Sequence, residues 1–147
     1  MCDWSPERKQ ALLSEPRAVQ LELASRWASA ARAEQWPPGS AWSTWLILAG
    51  RGWGKSRTGG EMGRLAIKAG ARRVALVGRT AADVRDVMIE GESGLLAVCQ
   101  HDEDQPTWEP SKRRLPWGCG GAIATTYSAD EPDQLRGIRG ARIEFVG

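Results

Sequence analysis

Eight residues constrain this chain more than any others: AGRGWGKS, Ala49 to Ser56, set directly after the apolar run Trp45-Leu46-Ile47-Leu48. Three glycines in a row of alternating positions give the backbone angles and close approaches that side chains forbid. The lysine and the hydroxyl that end the stretch are the residue types that meet phosphate and magnesium. A loop of this kind, placed between a strand and a helix, turns several backbone N–H groups toward one point. The helix N-terminus adds its partial positive charge, and an anion fits there. In the pattern G-x-x-x-x-G-K-[ST], Gly54, Lys55 and Ser56 match, while Ala49 stands in the first position. Gly50 and Gly52 supply the flexibility inside the loop. Lys55 is expected on the β and γ phosphates and Ser56 on Mg²⁺, with Arg57 beside them. The competing reading is a surface turn carrying a chance GKS.

The flanking sequence predicts the context that such a loop needs. WSTWLILA, from Trp42, is a short apolar run of strand length. KSRTGGEMGRLAIKAG fits a helix with Met62, Leu65, Ala66 and Ala69 on one face and Gly70 as its stop. Gly59, Gly60 and Gly63 weaken that helix. RRVALVG is a second strand of the fully buried type. TAADVRDVMIEG is a helix with Thr80 as N-cap and Asp83 in a capping-box position. Strand and helix alternating through short joins predict an α/β fold with a mostly parallel sheet covered on both faces. TWEPSKRRLPWGCGGAIATTYS reads as two extended stretches around a glycine turn. DEPDQLRG predicts a short helix, and ARIEFVG a third buried strand. Upstream, Ser5 caps one helix and Pro16 precedes a second, whose stripe is Val19, Leu23, Trp27 and Ala31. QWPPGS then breaks the helical pattern. The division expected is 1–36, an N-terminal helical segment, and 37–147, the start of a nucleotide-binding domain.

Composition narrows the setting. The net charge of +2 over 147 residues does not by itself argue for a nucleic-acid partner. Three cysteines, Cys2, Cys99 and Cys119, show no CxxC spacing, which speaks against a disulfide framework and a zinc site. No apolar run approaches the roughly 20 residues of a membrane helix, and MCDWSPERKQ lacks a signal-peptide core. The expectation is a soluble protein of the cytoplasm, with no membrane partner. His101, in the acidic stretch HDEDQ, is read as a solvated loop residue rather than a metal ligand.

Beyond the loop, WLILAGRGWGKSRTGGE, VALVGRTAADVRDVMIEGESGLL, WEPSKRRL and YSADEPDQLRG together resemble the ATPase half of the large terminase subunit of tailed bacteriophages, prophages and gene-transfer particles. The resemblance covers roughly Glu34 to Gly147. It implies a P-loop NTPase of the ASCE type, incomplete at the C-terminus, that uses ATP and Mg²⁺ to drive double-stranded DNA into a procapsid. The implied partners are a portal protein and a small terminase subunit, with a homo-oligomeric ring in the full-length form and the bacterial host cytoplasm as its place. Arg51 matches a family arginine held to sense or stabilise the γ-phosphate, and Lys55 and Ser56 match the phosphate and magnesium residues. Gln35 falls where the family often has a glutamine before a proline pair, a residue able to read adenine; its alternative is a solvent-exposed loop residue.

Such ATPases also need an apolar strand ending in Asp-Glu. RIEFVG sits at that strand, and the two carboxylates would come after Gly147. The 147 residues therefore read as the first part of an enzyme, expected to bind nucleotide and to turn it over poorly. Asp130-Glu131 are an alternative pair, read here as a helix start before Pro132. SKRR, Ser111 to Arg114, with Trp108 and Trp117 nearby, is equally readable as a DNA-backbone contact and as a solvated hairpin. Two other functions stay open: another P-loop NTPase or kinase, and an inactive prophage remnant.

Overall fold

An uninterrupted apolar strand must be covered on both faces, and Arg73–Gly78 meets that requirement as β1, with its last five residues buried. The structure is a computed structural model that describes residues 27, 30–38, 42–100, 102, 104–118, 120–138 and, as backbone, 141–144. The helix expected after Ser5, most of the one after Pro16, and residues 2, 101 and 119 lie outside the described residues. The chain divides into two compact units, Met1–Lys55 and Ser56–Gly147.

In the second unit, β1 is flanked on both sides by parallel partners. β2 is Arg114–Pro116, β3 is Ile123–Ser128 and β4 is Ala141–Glu144; among the described residues the sheet order is β2-β3-β1-β4. β1 runs parallel to β3, with Val74 opposite Ala124 and Leu76 opposite Thr126, and parallel to β4, with Val74 opposite Ala141. β2 is antiparallel to β3, with Leu115 opposite Ala124. The result is a small α/β unit with a mixed sheet. One row of it, Leu115, Ala124 and Val74, is buried within a core that also holds Leu76, Ile89, Leu95, Val98 and Trp117. Complete burial of Leu76, Ile89, Leu95 and Leu115 stabilises the unit by about 1.5–3 kcal/mol each. The turn between β2 and β3 uses Gly120 and Gly121 at positive φ, the glycine turn expected there.

Helix α1, Lys55–Lys68, follows the glycine loop. Gly70, at φ +101°, ends it: the Gly70 N–H bonds the Ile67 carbonyl at 3.0 Å and the Ala71 N–H bonds the Ala66 carbonyl at 2.9 Å. That pair of bonds satisfies carbonyls the helix leaves open. A second short helix, α2, Ala81–Asp83, is capped as expected: the Thr80 hydroxyl accepts the Asp83 N–H at 3.1 Å. It continues into a wider π turn over Val84–Ile89 that buries Val84, Met88 and Ile89. α3, Leu95–Cys99, packs close to α1, where a Cβ on Gly60 would lie 2.9 Å from the Ser93 carbonyl oxygen and 3.5 Å from Val98. Gly60 weakens the helix locally and allows this approach.

Two expectations change. The apolar run at 42–49 forms no strand. Its residues are irregular, with Leu46 71% and Leu48 86% exposed. An apolar run becomes a strand only where it finds a ladder of backbone partners, and this one pairs with none among the described residues. The buried face of α1 is also not Met62, Leu65, Ala66 and Ala69. Leu65 is buried, but Ala69 is exposed, and Thr58, Glu61 and Arg64 take the interior. Ion pairs of Glu61 with Arg57 and Arg64, and of Arg64 with Asp102, make that polar face tolerable.

In the first unit, Trp27 and Trp36 are buried with their ring centroids 6.4 Å apart, and Ala31 lies buried between them in sequence. A 3-10 turn, Ala33–Gln35, follows. Beyond it, Trp36 is extended and the proline pair prevents further helix.

Candidate functional site

The glycine loop closes on its own lysine. Lys55 Nζ donates to the Ala49 carbonyl at 2.6 Å and to the Gly50 carbonyl at 3.0 Å. Residues 49–55 therefore form a ring held by one ammonium group. Gly52 at φ +79° and Gly54 at φ +96° take backbone angles that L side chains rarely adopt. Gly50 has a negative φ and open space around it. Arg51, at the loop, is exposed and makes no hydrogen bond or ion pair among the described residues.

The structure brings Gln35 to this loop. Gln35 is 5% exposed, which removes the reading of it as a solvent-exposed loop residue. Its Oε1 accepts the Arg32 N–H at 2.9 Å, which orients Nε2 toward the Trp53 carbonyl at 3.4 Å. A Cβ on Gly54 would stand 2.8 Å from that Nε2 and displace the Gln35 amide, while φ +96° itself favours glycine there. Arg32 is a residue that sequence reasoning missed. Its Nη2 also donates to the Trp53 carbonyl, and its guanidinium carbon sits 5.3 Å from the centroid of the Trp53 ring. No sequence pattern marks Arg32; the only signal is its place three residues before Gln35.

Ser56 and Arg57 follow on the first turn of α1, each half-buried. Arg57 faces along its own helix: Nε and Nη2 donate to Glu61 Oε1 at 2.9 and 2.6 Å. From there a buried charge network runs down α1. Arg64, 3% exposed, meets Glu61 at 3.3 Å and grips Asp102 through two bonds of 2.6 Å. Lys68 adds a third donor to Asp102 at 3.1 Å. Burial pushes the Asp102 carboxyl up, but the hydrogen bonds from Arg64 and Lys68 outweigh it and hold the group below the usual carboxylate range. Burial, with Asp102 nearby, pushes the Cys99 thiol up to about 12. Cys99 is therefore an inert core residue.

Asp130 and Glu131 lie just past β3 as a turn. The Asp130 N–H bonds Ser128 Oγ at 3.3 Å, and Glu131 precedes a 3-10 turn, Pro132–Leu135, with Pro132 at its start. This agrees with reading the pair as a helix start. The basic hairpin is also partly neutralised: Arg114 and Lys112 meet Glu109 at 2.6 and 3.6 Å, and Arg113 meets Glu131 at 3.8 Å. Hydrogen bonding from Arg114 holds the Glu109 carboxyl below its ordinary range. Among the described residues no group of three or more His, Cys, Asp or Glu is placed to hold a metal ion, and no helix is long and apolar enough to cross a membrane.

Comparison with known proteins adds one decisive result. Residues 46–147 match the family model described as terminase large subunit, T4likevirus-type, N-terminal. No curated protein and no solved structure matches the chain. The match spans the glycine loop, α1 and the whole sheet, and it agrees with the blocks singled out above. The chain belongs to the terminase large subunit family.

Proposed function

We propose that this chain is the ATP-binding part of a phage DNA-packaging motor, with residues Gly50 to Ser56 as its phosphate loop. The observation that carries the proposal is the ring closed by Lys55, with two glycines at positive φ, at the start of a 14-residue helix. An ammonium group seated on two backbone carbonyls lies where an incoming triphosphate offers it better partners. The loop amides and the first turn of α1 supply the remaining donors. Ser56, on that turn, carries the hydroxyl that would join the Mg²⁺ shell. When bound, Mg²⁺ neutralises charge on the β and γ phosphates. Arg51, exposed at the loop, would compensate further charge at the γ-phosphate, and buried Gln35 would sit beside the nucleotide. Arg57, held by Glu61 on the helix, would be a further cation near the nucleotide.

Membership of the terminase family and the shared sequence blocks support DNA translocation as the work that ATP drives. Double-stranded DNA, a portal protein, a small terminase subunit and further copies in a ring are the partners this reading implies, in the cytoplasm of a bacterial host. The P-loop NTPase fold of the ASCE type belongs to the same proposal. The test is a calorimetric titration with Mg-ATP. Wild type binds, and Lys55→Ala loses binding with an unchanged far-UV spectrum. Equal affinity in the two proteins refutes the assignment.

A further inference from the structure

Gln35 and Arg32 converge on one atom, the Trp53 carbonyl oxygen. That carbonyl belongs to the peptide plane joining Trp53 to Gly54, inside the phosphate loop. No peptide bond described here is cis, and in a trans peptide the N–H lies antiparallel to the C=O. Fixing the Trp53 carbonyl toward Arg32 and Gln35 therefore fixes the Gly54 N–H toward the opposite side. Gly54 is the residue before Lys55, and in the phosphate-loop reading its amide is one of the donors offered to the anion.

We infer that Arg32 is a positioning residue for triphosphate binding, acting through the Trp53–Gly54 peptide; the inference rests on the phosphate-loop reading above. Three features single out Arg32. First, its hydrogen bond is charge-assisted, so it holds the carbonyl more firmly than the neutral, 3.4 Å bond from Gln35. Second, a cation on the carbonyl end polarises the peptide and makes the N–H at its other end a better donor. Third, the guanidinium lies against the Trp53 ring, which restrains the side chain as well as the backbone of that residue. The backbone of Arg32 is held in turn: its N–H donates to Gln35 Oε1 and its carbonyl accepts the Gln35 N–H at 3.0 Å. The 3-10 turn thus presents both donors from a closed local frame. Without them, the Trp53–Gly54 peptide is free to turn about ψ of Trp53 and φ of Gly54, since glycine tolerates either sign of φ.

The role is in phosphate binding, not in reading the base. This separates it from a role for Gln35 at adenine and decides the experiment. Arg32→Gln and Arg32→Lys are titrated with Mg-ATP and with inorganic tripolyphosphate, which has no base, beside wild type and Lys55→Ala. Arg32→Gln is expected to weaken both ligands by about tenfold or more and by the same factor, as loss of a charge-assisted bond does. Arg32→Lys keeps a cation for the carbonyl and is expected to recover part of the loss for both. Far-UV and near-UV spectra of the variants check that the unit stays folded. Unchanged tripolyphosphate affinity in Arg32→Gln, with Lys55→Ala still defective, overturns the inference and leaves the phosphate loop standing. A loss confined to ATP also overturns it, because it assigns Arg32 to the base. Failure of wild type to bind either ligand overturns the phosphate-loop reading itself.

Discussion

Replacing Arg64 by methionine probes the least expected part of the fold, the polar interior of α1. Arg64 is 3% exposed and stands between Glu61, 2% exposed, and Asp102, 8% exposed. Methionine keeps most of the volume and the helix propensity, so cavity and backbone effects stay small. The main effect is that two buried carboxylates lose a cation. Removing one partner of a buried pair typically destabilises by about 3–5 kcal/mol. Here each carboxylate keeps a second cation, Arg57 at 2.6 Å on Glu61 and Lys68 at 3.1 Å on Asp102. That places the expected loss near the low end, about 3 kcal/mol, or a drop in Tm of about 6–12 °C for a chain of this size. Urea denaturation followed by circular dichroism measures it. The pH dependence gives a second reading. The wild-type Asp102 carboxyl is held below its unfolded value, so its contribution is present above the unfolded pKa and fades as pH falls through the folded one. The gap between wild type and Arg64→Met should therefore narrow on acidification from pH 7 toward about pH 3. A loss under about 1 kcal/mol, or a gap that does not narrow, refutes the claim that this network holds α1 in place.

Other consequences are equally concrete. Gly60→Ala gains helix propensity of about 1 kcal/mol but sets a methyl 2.9 Å from the Ser93 carbonyl; net destabilisation of about 1–2 kcal/mol in thermal unfolding is expected, and a stabilised variant would show that α1 and α3 are not packed so closely. Cys99, its thiol pushed up to about 12 by burial, should resist a thiol reagent at pH 8 in the native protein and react in urea, as peptide mapping reads; rapid native labelling at Cys99 contradicts its place in the core. Gly54→Ala should lose Mg-ATP binding, since φ +96° is strained for a side chain and a methyl there displaces the Gln35 amide, and retained binding would mean that the loop takes another shape.

What the sequence makes legible follows from how local each cause is. RVALVG is apolar over consecutive residues, so a central strand follows from it directly, and β1 is that strand. Thr80 as a cap and Gly70 as a stop need only near neighbours, and both appear where expected. Glu61 and Arg64 were not legible as interior residues. Their burial depends on Asp102, 38 residues beyond Arg64, and counting apolar positions along a helix cannot see an ion pair across the fold. The run at 42–49 misled for the same reason: its composition suits a strand, but a strand exists only where a partner edge meets it. At the candidate site, the spacing marks the glycines and Lys55 as one loop, and Lys55 does bond the carbonyls of Ala49 and Gly50. The burial of Gln35 against Gly54 and the part taken by Arg32 were not, because they depend on how a 3-10 turn is presented to a loop 18 residues away.

The central claim is that a triphosphate sits in the loop from Gly50 to Ser56. Backbone amide mapping by nuclear magnetic resonance, with Mg-ATP added to the isotopically labelled chain, tests it most directly. The account predicts saturable shifts at the amides of Gly50, Arg51, Gly52, Gly54, Lys55 and Ser56 and at the Gln35 side-chain amide, with little change in the β2–β3 turn. Shifts that fall elsewhere, or a spectrum unchanged at millimolar nucleotide, would contradict it.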